Sequence, residues 1–121
     1  MTESERIEPP AEHLTKPDGL ESLSNEWVVV ARNRRVNKDW ETLLTQYPEN
    51  TKRCYEYLRQ TPTRRWQGRI FPLRGKKYKG AWEYELTSAA RIFYVPDEKK
   101  KKVVVYYAGP HPRKSPYPPS S

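Results

Sequence analysis

The sequence predicts an α+β domain in which one N-terminal strand and a pair of helices precede a mostly antiparallel, twisted sheet of about four strands. Three observations lead there. Three short β-rich runs follow one another between residues 82 and 108, each bounded by turn residues. Two adjacent stretches, starting near residues 38 and 48, each carry a single apolar stripe at helical spacing. Ahead of them, Trp27-Val28-Val29-Val30 is a short continuous apolar run of the kind that suits a strand covered on both faces.

Taken in order, residues 1–24 are rich in Pro, Glu and Ser and show no sustained period, so they are expected to form a flexible acidic extension ahead of a domain spanning 25–121. Residues 26–31 hold the first strand. Asn37 then offers a helix cap, and Trp40, Leu43, Leu44 and Tyr47 follow at i, i+3, i+4 and i+7 spacing over residues 38–47. Pro48 suits the first turn of a second helix because its missing N–H has no partner to lose there. Cys54, Tyr57 and Leu58 form that helix's stripe, and Thr61-Pro62 ends it. So short a joint makes the helices an antiparallel pair, and one stripe each lays both on the sheet.

Residues 62–81 form a basic connector in which three glycines and two prolines oppose a long helix. Trp66 within it is expected to pack over the sheet. Trp82, Tyr84 and Leu86 then alternate with Glu83, Glu85 and Thr87, the period of a half-buried strand. Residues 90–95 and 102–108 make two more strands around a lysine-rich turn, and the five prolines of residues 110–121 favour an extended tail.

Composition narrows the function. The chain has 121 residues and one cysteine, Cys54, which cannot form an internal disulfide and reads as a core filler. Neither a membrane-length apolar run nor a signal-peptide pattern is present, so a cytoplasmic protein without membrane contact is expected. The net charge of +8 divides unevenly: residues 1–26 carry −5 and residues 27–121 carry +13. A body that basic attracts polyanions, nucleic acid first, although an acidic protein partner would satisfy the same field.

The order strand, two helices, basic connector and three antiparallel strands, with Leu73-Arg74-Gly75, Arg91-Ile92-Phe93-Tyr94 and Gly109-Pro110-His111 in sequence, resembles the RelE/ParE superfamily of bacterial toxins over residues 27–117. The resemblance implies the toxin of a toxin–antitoxin pair. In the RelE-like branch that is an endoribonuclease cutting mRNA, on the ribosome in many members, without metal or cofactor. An acidic antitoxin silences it. The implied chemistry is attack of the RNA 2′-OH on the adjacent phosphate, leaving 2′,3′-cyclic phosphate and 5′-OH ends.

By the same resemblance Arg91 takes the place of the arginine that holds the scissile phosphate, a task a planar, permanently charged fork suits better than lysine. His111 stands where a proton donor to the leaving oxygen is expected, and histidine titrates in the right range. Tyr117 matches a terminal tyrosine that stacks on a base or assists proton transfer. A departure falls on the preceding strand, where ribosome-dependent members carry two lysines and this chain has Glu83 and Glu85. Glu85 is therefore a candidate general base, unless Arg91 is a structural residue paired with Glu83 or Glu85. Arg64, Arg65, Arg69, Arg74, Lys76, Lys77 and Lys79, with Tyr78 as a stacking group, are the expected RNA contacts, and Arg113 and Lys114 join them from the tail. Two other readings stay open: a ParE-like gyrase poison, which needs no acid–base pair, and a non-catalytic RNA- or protein-binding relative, which the two glutamates favour.

Overall fold

The computed structural model of the chain describes residues 11–119. In order these form β1 (Glu12–His13), β2 (Val28–Ala31), α1 (Arg34–Gln46), α2 (Pro48–Gln60), β3 (Ile70–Pro72), β4 (Trp82–Thr87), β5 (Ala90–Asp97) and β6 (Lys102–Pro110). The strands make one sheet in the order β1-β2-β6-β5-β4-β3, with β2 and β6 parallel and every other pair antiparallel. The expected α+β architecture is present, with six strands instead of about four. The two extra strands have two and three residues, too short to leave a period in the sequence.

Helix α1 begins a turn earlier than Asn37. Its cap is Asn33, whose Oδ1 accepts from Val36 N at 3.0 Å. Val36 precedes Trp40 by four residues and joins the same stripe, so the apolar face had already begun at 36. Asn37 is freed for another task. Its amide accepts from Thr15 N at 2.9 Å and donates to Thr15 Oγ1 and Glu12 Oε2, while Trp40 Nε1 donates to Thr15 O at 2.8 Å. Residues 12–15 are thereby held against α1 and β2, with Leu14 buried in the core. The extension expected over residues 1–24 therefore joins the domain from Glu12 onward; residues 1–10 lie outside the described residues. Arg59, nearly buried on α2, binds Glu21 O and the Glu26 carboxylate and ties down the rest of the segment.

Both helices cover one face of the sheet, where Val29, Ala31, Trp40, Leu58, Ile92, Tyr94 and Val105 meet. Cys54 lies fully buried among them, and burial pushes its thiol pKa well up, as befits a core filler. The connector starts from this core: the Tyr94 hydroxyl donates to Pro62 O at 2.8 Å, and that of Tyr57 to Arg64 O.

Neither α1 nor α2 covers the opposite face. A β-bulge between Phe93 and Tyr94 sets both Tyr106 and Tyr107 against Phe93. The connector, through Leu73, Tyr78 and Ala81, packs onto this smaller cluster. The proline-rich tail crosses the same face in extended form, pinned where the hydroxyls of Tyr106 and Tyr78 donate to Pro116 O and Ser115 O at 3.0 and 3.1 Å.

Candidate functional site

The helix-free face carries the candidate site, because pairing register brings charged side chains from β4 and β5 together there, beside Gly109 of β6. Glu83 and Glu85 alternate with the core residues Tyr84 and Leu86 on β4. Arg91 on β5 stands opposite Glu85 on one side and Gly109 of β6 on the other. Its guanidinium does not go to Glu85. Nε donates to Glu83 Oε2 at 3.1 Å, and Nη1 donates to the carbonyls of Thr87 and Ala90 at 2.6 and 3.0 Å, with a longer contact to Ser88 O. Both partners are largely shielded, with side chains 12% and 13% exposed. Nη2, the remaining end of the fork, makes no hydrogen bond with a described residue.

Gly109 packs against the end of the Tyr107 side chain. A Cβ at 109 would lie 3.4 Å from the Tyr107 hydroxyl, whose ring folds back so that the hydroxyl donates to Pro110 O. The backbone of His111 continues the β5–β6 pairing, donating from its N to Ala89 O at 2.9 Å. Two residues of strand place its Cα about 7 Å beyond Gly109. The imidazole is exposed and makes no hydrogen bond with a described residue, and no contact joins it to Arg91.

A second group gathers where tail and connector meet. The ring of Tyr117 lies 5.1 Å from that of Tyr78, with Lys114 Nζ and Lys77 Nζ at 5.1 and 5.5 Å from its centre. The hydrogen bond from Lys114, with the charges of Lys114 and Lys77, draws the Tyr117 pKa below its usual value, and the same hydrogen bond to Tyr117 raises that of Lys114. Gly75, at φ +106°, starts the 3-10 turn Lys76–Tyr78 that presents Lys77. Lys76, Lys79, Arg74 and Arg113 are exposed around it.

The expected residues thus fall into separate groups. Arg91 has Glu83 bound and Glu85 opposite, with His111 just beyond the strand; Tyr78, Lys77, Lys114 and Tyr117 share another cluster. No contact links Tyr117 to His111 among the described residues. Tyr78, expected to stack on a base, spends its ring on Tyr117 and its hydroxyl on the tail. Arg64, Arg65 and Arg69 lie elsewhere, around Trp66. That tryptophan does not pack over the sheet: it is 58% exposed, because the hairpin of residues 66–70 turns back at Gly68 before reaching the core. What sequence reasoning missed is Tyr106, which holds the tail. The Tyr-Tyr pair interrupting the alternation after Val105 is the trace of the bulge that frees it.

No protein-family model matches the chain, and no curated protein matches it. Solved structures with a similar backbone include a YoeB/ParE toxin from Agrobacterium tumefaciens, 21% identical over 61% of this chain and 87% of that one, with a TM-score of 0.49. They also include a metal-bound toxin from Helicobacter pylori, 15% identical over 70% of this chain and 94% of that one, with a TM-score of 0.51. At such identities the likeness is one of fold, and the fold is the toxin fold that the sequence resembles.

Proposed function

We propose that this chain, built on the RelE/ParE toxin fold, is the toxin of a toxin–antitoxin pair and cleaves mRNA during translation. The observation that carries the reading is Arg91: a guanidinium on a middle strand of the helix-free face, anchored through Nε and Nη1, with Nη2 unspent. Such a fixed cation can receive the charge that develops on a phosphoryl oxygen without having to reorganise. Glu85, opposite Arg91 in register, takes the proton of the attacking 2′-OH, and His111 returns one to the departing 5′ oxygen. The products are a 2′,3′-cyclic phosphate and a 5′-OH. Tyr117 stacks on a neighbouring base, while Arg74, Lys76, Lys77, Lys79, Arg113 and Lys114 hold the backbone. The +13 charge of residues 27–121 supports an acidic antitoxin as the silencing partner and ribosomal RNA as a docking surface.

A second reading rests on the same residue. The Arg91–Glu83 ion pair is already satisfied, which favours a relative that binds RNA or poisons gyrase without cutting. One experiment separates the readings: mapping RNA ends after brief induction of wild type and His111→Ala in growing bacteria. Discrete cuts within translated messages, bearing cyclic phosphate and absent from the variant, support the nuclease. Growth arrest with intact RNA removes it in favour of the gyrase reading, and no arrest leaves the binding relative.

A further inference from the structure

We infer that Trp66 is a stacking platform for an unpaired base of single-stranded nucleic acid, which it receives on the cleft side of its ring, away from Glu85. Tryptophan is enriched at binding interfaces, where a large flat ring meets a ligand, and this one is 58% exposed. The loop that presents it is rigid. Trp66 N donates to Ile70 O at 2.8 Å, Ile70 N and Arg69 N return to Trp66 O at 2.8 and 2.9 Å, and Gly68 takes the positive φ of +80° that closes the turn. A ring held this way loses little freedom when a ligand arrives.

The ring divides two hollows. On one side Trp66 borders an open cleft of about 520 Å³ together with Tyr57, Arg64 and Arg65. On the other it borders a cavity of about 40 Å³ with Arg53 and Arg69. The Arg69 guanidinium lies 5.5 Å from the ring centre and borders only the small cavity, so it backs the ring and leaves the cleft side for a base. Arg64 and Arg65 are exposed at the cleft and reach phosphates on either side of a base stacked there. Stacking with flanking cations is the arrangement by which proteins hold single strands without reading sequence. The charge of the cleft selects a polyanion, and the flat ring among guanidinium groups selects one that carries bases.

The inference extends the proposed RNA-directed function yet stands apart from it in test. A short oligouridylate is titrated into the full chain while tryptophan emission is followed; Trp40 is buried, and Trp27 and Trp82 are half-buried, so Trp66 is the accessible reporter. Quenching by the oligonucleotide is expected, with affinity about tenfold lower in Trp66→Ala and largely kept in Trp66→Tyr. Arg64→Glu with Arg65→Glu lowers affinity and flattens its salt dependence. Circular dichroism checks that each variant is folded. Unchanged affinity in Trp66→Ala, an absence of wild-type binding, or equal quenching by an acidic peptide of matched charge overturns the platform. Trp66-dependent binding without any cleavage would sustain the platform and remove the nuclease; cleavage that ignores Trp66 would do the reverse.

Discussion

At the scale of single residues, Arg91 is held by one carboxylate and the carbonyls of its own turn, so its position does not depend on Glu83 alone. Glu83→Gln should therefore cost only about 1–2 kcal/mol in urea unfolding, the worth of one charge-assisted hydrogen bond, and should tighten RNA binding by removing a competitor for the guanidinium. Weaker binding in this variant would mean that Glu83 orients Arg91 for its ligand. Arg91→Lys keeps the charge and loses the fork, and initial cleavage rates should fall about 10²-fold or more. A fall of less than tenfold would give Arg91 a purely structural part. Tyr117 is the other residue whose environment makes a measurable demand. Its pKa is lowered chiefly by Lys114, whereas burial raises those of Tyr55, Tyr57, Tyr84, Tyr94, Tyr106 and Tyr107. In an ultraviolet absorbance titration Tyr117 should ionise ahead of those six, and Lys114→Gln should move its step upward.

At the scale of elements, legibility followed length and periodicity. The start of α2 at Pro48, its end before Thr61, and the span of β4 are stated by local residues, and the structure agrees. The early start of α1 is hidden because two asparagines compete for the cap and Val36 lies a full turn ahead of the stripe that begins at Trp40. Strands β1 and β3 were invisible, since both exist only through pairing with distant partners. The site shows the same division: Arg91, Glu85 and Gly109 were legible as residues, while the choice of Glu83 as ion partner depends on cross-strand geometry that no spacing states. The docking of β1 makes a direct prediction. Leu14 is 1% exposed, so Leu14→Ala should cost about 2–4 kcal/mol of unfolding free energy. A change below about 0.5 kcal/mol would return residues 12–15 to the status of a loose tail.

At the scale of the whole molecule, buried phenols set the alkaline limit. Burial raises the pKa of Tyr84 and Tyr94 in the folded chain above the usual value of about 10. The unfolded chain then releases these protons first. The stability they confer is complete below about pH 10 and is lost as pH climbs from there toward the folded pKa values. Thermal unfolding temperatures should hold steady between about pH 8 and 9 and drop above about pH 10; Tyr94→Phe should lessen the drop. A flat profile to pH 11 would mean that these hydroxyls are less shielded than the packing indicates.

The parallel pairing of β2 with β6 bears on when the molecule comes into being. Val28 is made well before its neighbour in the sheet, Lys102. At about 5–20 residues per second, several seconds of synthesis separate them. The strand that occupies the middle of the sheet is the last to be made, and Gly109, which faces Arg91, sits near its end. Until β6 emerges, the pair β1-β2 and the three strands β5-β4-β3 have no strand to join them. The sheet closes as one surface, and Arg91 gains its neighbour Gly109, only once β6 has been made.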